Sequence, residues 1–163
     1  MAINWVLPVR ALQAVLSIVV LGLMAYVSSW WSSHWRQVSP AEVNWMIFAP
    51  VWTILALVAL IVVPWKMPHI ANAQLPKIGL LVLEGLTMVH WLAGFLALAV
   101  FLSDRICFGT VCQVAKAGTA IAAFQWVAWA VTLVVSGMRV FGRGRAAAAP
   151  MLKEPKVEMH QGV

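Results

Sequence analysis

A chain of 163 residues that is 63% hydrophobic and only 10% charged is not a soluble globular domain, which runs nearer half apolar and a quarter charged. Composition points instead to an integral membrane protein, with room for one bundle of spans and no separate soluble domain. The sequence contains no HExxH, Walker A, GxGxxG, nucleophile–base pair or metal-ligand cluster. The expectation is therefore a non-enzyme with no cofactor, no metal and no nucleic-acid partner, despite a net charge of +6.

About twenty apolar residues cross the hydrocarbon core of a bilayer, and four segments reach that length: 7–27, 45–63, 78–102 and 117–138. The expected fold class is all-α, a four-helix transmembrane bundle occupying residues 1–138. In the first span, Arg10, Gln13, Ser17, Met24 and Ser28 share one side at 100° per residue. Its apolar run exceeds that of a signal peptide, and Arg10 lies inside the run rather than ahead of it. The second span carries Pro50, which removes a backbone hydrogen bond and should kink it. "SPAE" (Ser39–Glu42) reads as a capping box that opens this helix, with Pro40 at its first position, and Pro64 and Pro68 should close it.

The third span is nearly free of charge, with Glu84 its one acid and His90 its one imidazole; Pro76 suits its first turn. The fourth opens at a second capping-box pattern, "TVCQ" (Thr110–Gln113), and carries Gly118, Ala122, Gln125, Thr132 and Ser136 along one line. Small residues allow close backbone approach there, and Gln125 can hydrogen-bond across the bundle. Residues 139–163 form a short basic tail whose composition predicts disorder.

Four spans place both termini on one side. That side collects Arg10, Lys66, Lys77, Arg139, Arg143, Arg145, Lys153 and Lys156, against Arg36, Arg105 and Lys116 opposite. The positive-inside bias makes the termini cytoplasmic. Trp30, Trp31, Trp35 and Trp45 then fall at the outer boundary, and Trp5 and Trp65 at the inner one. Both cysteines, Cys107 and Cys112, lie in the outward loop, where oxidising conditions and short spacing favour a disulfide that pins the loop. Two free thiols are the alternative, and a CxxC redox pair is excluded by the spacing.

An ionisable residue inside a membrane demands a partner. Glu84 sits about 9 Å into the third span at 1.5 Å per residue, level with Arg10, and the two form an interhelical ion pair if helices one and three are neighbours. The alternative is that Arg10 reaches lipid phosphates while Glu84 is protonated. Glu84 and His90 are about 120° apart on their helix, so they form no direct proton relay, and His90 is expected to make a packing hydrogen bond. Gln13, Ser17, His90 and Gln125 are the candidate interhelical polar contacts. Arg139, Arg143 and Arg145 favour an anionic inner leaflet, at about 1 kcal/mol per charge.

The ordered set "LPVRALQAVLSIVVLGLMAY", "LEGLTMVHWLAGFLALAVFL", "CFGTVC" and "AKAGTAIAAFQWVAWAVTLV" resembles the fungal MARVEL-type membrane-associating domain proteins, the group that includes the non-classical export family. The resemblance runs from about Pro8 to Gly137. It implies a four-helix bundle with cytoplasmic termini, residing in the plasma membrane or an endomembrane, that organises membrane domains or assists membrane traffic. The implied partners are anionic inner-leaflet lipids, sterol or sphingolipid domains, and further copies of the chain or other membrane proteins. The resemblance leads one to expect an acid in many relatives where this chain has Gln125, a departure that weakens the case for an ionic site on helix four. Two other functions remain open on the sequence: a small transporter or channel, proton-coupled through Glu84, and a scaffold subunit of a larger membrane complex.

Overall fold

The computed structural model describes residues 6–36, 38–66, 74–104 and 109–147, with residues 74 and 142–147 as backbone only. Four helices make up these residues: α1 Val6–Trp35, α2 Ala41–Lys66, α3 Gln74–Ser103 and α4 Thr110–Ala147. Each is long and apolar enough to cross a membrane. All four exceed the expected spans. In particular α4 continues through 139–147, so the first nine residues of the expected disordered tail are helical; Gly142 and Gly144 are too few to break a helix already nucleated by the preceding apolar run. Residues 148–163, with Lys153 and Lys156, lie outside the described residues.

Buried positions recur at alternating steps of three and four. On α1 they are Arg10, Gln13, Ser17, Val20, Met24 and Val27, and on α2 the seam includes Val43, Met46, Pro50, Thr53 and Leu57. On α3 the sequence Glu84, Thr87, Trp91, Gly94, Leu98 keeps the same rhythm, and on α4 Ala122, Gln125, Trp129 and Thr132 do so. A 3.5-residue repeat is the seam of helices packed side by side, knobs into holes. Here the seam is more polar than the outside, because lipid solvates apolar side chains and the hydrogen-bonding groups must find one another within the protein.

The helices form a ring in which α1 packs on α2 and α4, and α3 packs on α2 and α4. Helices α1 and α3 are therefore diagonal, contrary to the neighbour relation that the ion-pair expectation assumed. Met24, Val20, Trp91, Leu98, Ala122 and Trp129 fill the centre, all at 0% exposure. Trp91 and Trp129 thus sit in the core and not at a membrane boundary. Burying an indole requires an acceptor for its N–H, and Trp91 Nε1 donates to Thr53 Oγ1 at 2.8 Å across the α2–α3 seam. Thr53→Val keeps the shape and removes the acceptor. It is expected to destabilise the bundle by about 1–3 kcal/mol, read from unfolding in bicelles, while Thr53→Ser should remain close to the parent.

The helix starts differ from the capping boxes expected. The carbonyl of Pro40 accepts from Val43 N and Asn44 N, both at 3.1 Å, so Pro40 precedes the first helical residue and Ser39 is one place too early to cap. Its hydroxyl instead meets Asn44 Oδ1 and accepts from Ser28 Oγ at 3.1 Å, tying α2 to the end of α1. At α4 the carbonyl of Gly109 accepts from Gln113 N at 3.4 Å. Gly109, at φ +90°, takes the position read for Thr110, and the left-handed backbone there explains why it is glycine. Helix α2 runs through Pro50 and past Pro64 to Lys66, so Pro64 does not close it, and Pro68 lies outside the described residues. Pro76 falls in the first turn of α3, where its missing N–H leaves no bond unmade.

Candidate functional site

One polar layer crosses the bundle toward the end that holds the N-terminus. Arg10 is in the second turn of α1, 6% exposed, and Glu84 is on the inner seam of α3, 1% exposed. Their side chains form an ion pair, Arg10 Nη2 to Glu84 Oε1. Because α1 and α3 are diagonal, the pair traverses the middle of the bundle instead of sealing an adjacent seam, a reach that the long arginine stem allows.

The guanidinium is held on two further sides. Nη1 donates to Gln13 Oε1 at 3.1 Å, and Cζ lies 4.9 Å from the ring centroid of Trp129 on α4, a cation–π geometry. Gln13 passes the network on, its Nε2 donating to Thr132 Oγ1 at 3.4 Å. Gln125 Nε2 donates to the Gln13 carbonyl and to Ser17 Oγ, each at 2.9 Å, and Ser17 Oγ donates to that same carbonyl at 2.7 Å. Arg10, Gln13, Ser17, Glu84 and Gln125 are thus brought together. The layer can hold a pair of opposite charges in a low-dielectric interior, with both guanidinium Nη atoms and one carboxylate oxygen engaged. Trp129 and Thr132 complete it. The repeat that places Gln125 on the seam also carries Trp129 at the next step of four, the signal by which its core position was legible.

His90 stands apart. It lies off the inner line of α3, against α2, and its ring stacks on Trp45 at 5.4 Å and on Trp52 at 5.5 Å, with Phe48 at 5.7 Å. Its side-chain hydrogen bond stays within α3, Nδ1 donating to the Leu86 carbonyl at 2.6 Å. The interhelical hydrogen bond here is made by its backbone carbonyl, which accepts from Trp45 Nε1 at 3.2 Å. The expected interhelical side-chain hydrogen bond is therefore a ring stack, since three aromatic faces surround the imidazole and leave the helix backbone as its nearest acceptor.

At the other end of the bundle a groove of about 670 Å³ lies between α2 and α3, lined by Glu42, Leu96, Ala97, Val100, Phe101 and Asp104. Glu84 is not among its lining residues. Arg139 is exposed on α4; the backbone of Arg143 and Arg145 continues the same helix. Cys112 is buried in the first turn of α4 and is not a free thiol, whereas Cys107 lies outside the described residues. Among the described residues no group of three His, Cys, Asp or Glu could hold a metal ion.

Four apolar spans around a polar seam define a multi-pass integral membrane protein of the four-helix type. The family model of the MARVEL membrane-associating domain matches residues 4–135, most of the chain and all of the first three helices, and the chain belongs to that family. No curated protein and no solved structure gives a match.

Proposed function

We propose that the chain is a non-enzymatic organiser of membrane domains, or an aid to membrane traffic, that works through helix packing and association with lipids and other membrane proteins. The observation that carries this reading is the environment of Glu84: a carboxylate at 1% exposure, engaged by Arg10 and enclosed by a hydrogen-bonded layer. A transport carboxylate needs a wet approach and freedom to exchange its partner. Glu84 has a fixed cation, and the groove opens at the far end of the bundle. The ion pair acts in this reading as an interhelical clamp, and Gln13, Ser17 and Gln125 as the contacts that fix its level.

In the same reading the termini are cytoplasmic, as the Lys/Arg bias indicates, and Arg139, Arg143 and Arg145 meet the anionic inner leaflet. The plasma membrane is the favoured site, with sterol- or sphingolipid-rich domains as the lipid partner. Self-association is the protein partner that needs no second gene product. Within the family, this reading sets the chain beside the fungal non-classical export proteins that its sequence resembles. A Cys107–Cys112 bridge pins the outer loop. In intact cells, an impermeant maleimide is expected to label the cysteines only after reduction by an equally impermeant phosphine. Labelling without reduction would remove the bridge, and labelling only after permeabilisation would reverse the orientation.

The functional reading is tested by imaging a tagged copy. A patchy distribution that disperses on sterol or sphingolipid depletion is expected, with Arg139→Gln, Arg143→Gln and Arg145→Gln together weakening the patches. A uniform distribution, combined with pH-dependent solute flux in vesicles that Glu84→Gln abolishes, would replace this reading with transport.

A further inference from the structure

Gln125 is 0% exposed, and the orientation of its amide is set by its neighbours. Nε2 faces the Gln13 carbonyl and Ser17 Oγ at 2.9 Å each. The carbonyl has only lone pairs to offer, and Ser17 already gives its proton to that carbonyl at 2.7 Å. Turning the amide over would set oxygen against two acceptors. Oε1 must therefore face away from α1, and among the described residues it has no hydrogen-bond partner.

One turn along α4, Trp129 is also 0% exposed. The face of its ring is occupied by Arg10, while its edge donor, Nε1–H, has no partner among the described residues. An orphan acceptor and an orphan donor thus stand at i and i+4 on one helix face, a spacing that puts their Cβ atoms about 5–6 Å apart. They do not bond each other directly. Leaving both unmade would forfeit the hydration of two buried groups. Side chains one turn apart on one face can both reach a single molecule between them, each through a hydrogen bond of about 2.9 Å.

We infer that the bundle interior holds a single enclosed water, accepting from Trp129 Nε1–H and donating to Gln125 Oε1, next to the Arg10–Glu84 layer. Two polar partners are the minimum that keeps a water in a protein interior, and this site supplies one of each kind. The water completes the α4 side of the polar layer: with it, Gln125 is satisfied at both ends, while the tie from α4 to α1 is made by Gln125 Nε2. Trp126 Nε1 is a third unpartnered atom, its ring packed beside Phe95 on α3. This site stands apart from the organiser reading, since a bundle of any function would need it.

The test uses the full chain in lipid nanodiscs with ¹⁵N-labelled indoles, the Trp129 resonance being assigned by its loss in Trp129→Phe. The expected result is magnetisation transfer from water to the Trp129 indole proton, together with hydrogen–deuterium exchange slower than that of Trp65, which is 79% exposed. Gln125→Leu is expected to abolish the transfer. Absence of transfer in the folded parent protein overturns the proposal, whether or not the variant folds. Exchange at Trp129 as fast as at Trp65 also overturns it, because bulk water would then reach the core. The clamp is tested separately by paired substitutions at positions 10 and 84, so either idea can fail alone.

Discussion

Arg10→Met is expected to lower the stability of the folded bundle by about 3–5 kcal/mol, and Glu84→Leu by a comparable amount, because each strands a charge in a desolvated interior. The combined variant, Arg10→Met with Glu84→Leu, is expected to recover most of that loss. Replacing a buried ion pair by apolar groups of similar volume is often neutral, and the loss that remains here is the donor that Arg10 gives to Gln13 Oε1. The coupling between the two changes should therefore be large and of restoring sign, beyond about 2 kcal/mol on the scale found for contacting residues. The measurement is equilibrium unfolding in bicelles for the four members of the cycle. Additive losses would mean that the two side chains do not depend on each other.

Reversal of the pair is a different experiment with a different expectation. Exchanging the residues, Arg10→Glu with Glu84→Arg, restores the net charge but not the surroundings. Position 10 faces Gln13 Oε1 at 3.1 Å and the ring of Trp129, an acceptor and a negative π face. A carboxylate there loses both supports unless Gln13 turns over, and the ring face still repels it. The exchange is expected to rescue less than the apolar double variant does. This asymmetry separates a clamp shaped for a guanidinium from a bare Coulombic contact.

How far the sequence revealed this arrangement follows from the solvent. In water, a helix marks its buried face with apolar residues; in a bilayer both faces are apolar, and only polar residues mark the inside. Arg10, Gln13 and Ser17 were legible as one inner face, as was the line through Gly118, Ala122, Gln125 and Thr132. Val20 and Val27 on α1 carry no such contrast with Val19 or Val15 on the lipid side, so only their place in the repeat set by Arg10, Gln13 and Ser17 marks them as buried. On α2, Thr53 is the one polar member of an otherwise apolar seam, and the contact it makes with Trp91 depends on which helix is its neighbour. The family match over residues 4–135 agrees with the class of fold read from the four apolar segments. The order of helices around the ring could not be read from hydropathy: the diagonal placement of α1 and α3 depends on tertiary packing, while the Arg10–Glu84 contact depends only on shared depth and side-chain length. Tryptophan's preference for the interface is an average, and Trp91 departs from it by finding a hydroxyl acceptor in the core.

Gly94→Val is expected to destabilise the bundle by about 3 kcal/mol and Gly94→Ala by about 1–2 kcal/mol, at the upper and middle range for overfilled cores, whereas Gly118→Ala should be close to neutral. A Cβ at position 94 would lie 2.7 Å from Met46 Sδ and 3.1 Å from Trp45 Cδ1; one at position 118 would lie 2.2 Å from Met24 Cε. The shorter distance is the less damaging. Met24 Cε is the free end of an unbranched side chain, and a χ displacement of about 30° that costs about 0.5–1.5 kcal/mol moves it aside, offset by the gain of about 1 kcal/mol in helix propensity from glycine to alanine. At position 94 neither neighbour can yield so simply. Met46 Sδ lies within its side chain and cannot move without carrying its methyl group, and Trp45 is anchored through Nε1 to the His90 carbonyl while stacked on the His90 ring. Relief must come from separating α2 and α3, which stretches the Trp91–Thr53 and Trp52–Thr87 hydrogen bonds on the same seam. Unfolding in bicelles ranks the three variants; an equal loss for Gly94→Ala and Gly118→Ala would show that the α2–α3 seam is no more rigid than the contact between α1 and α4.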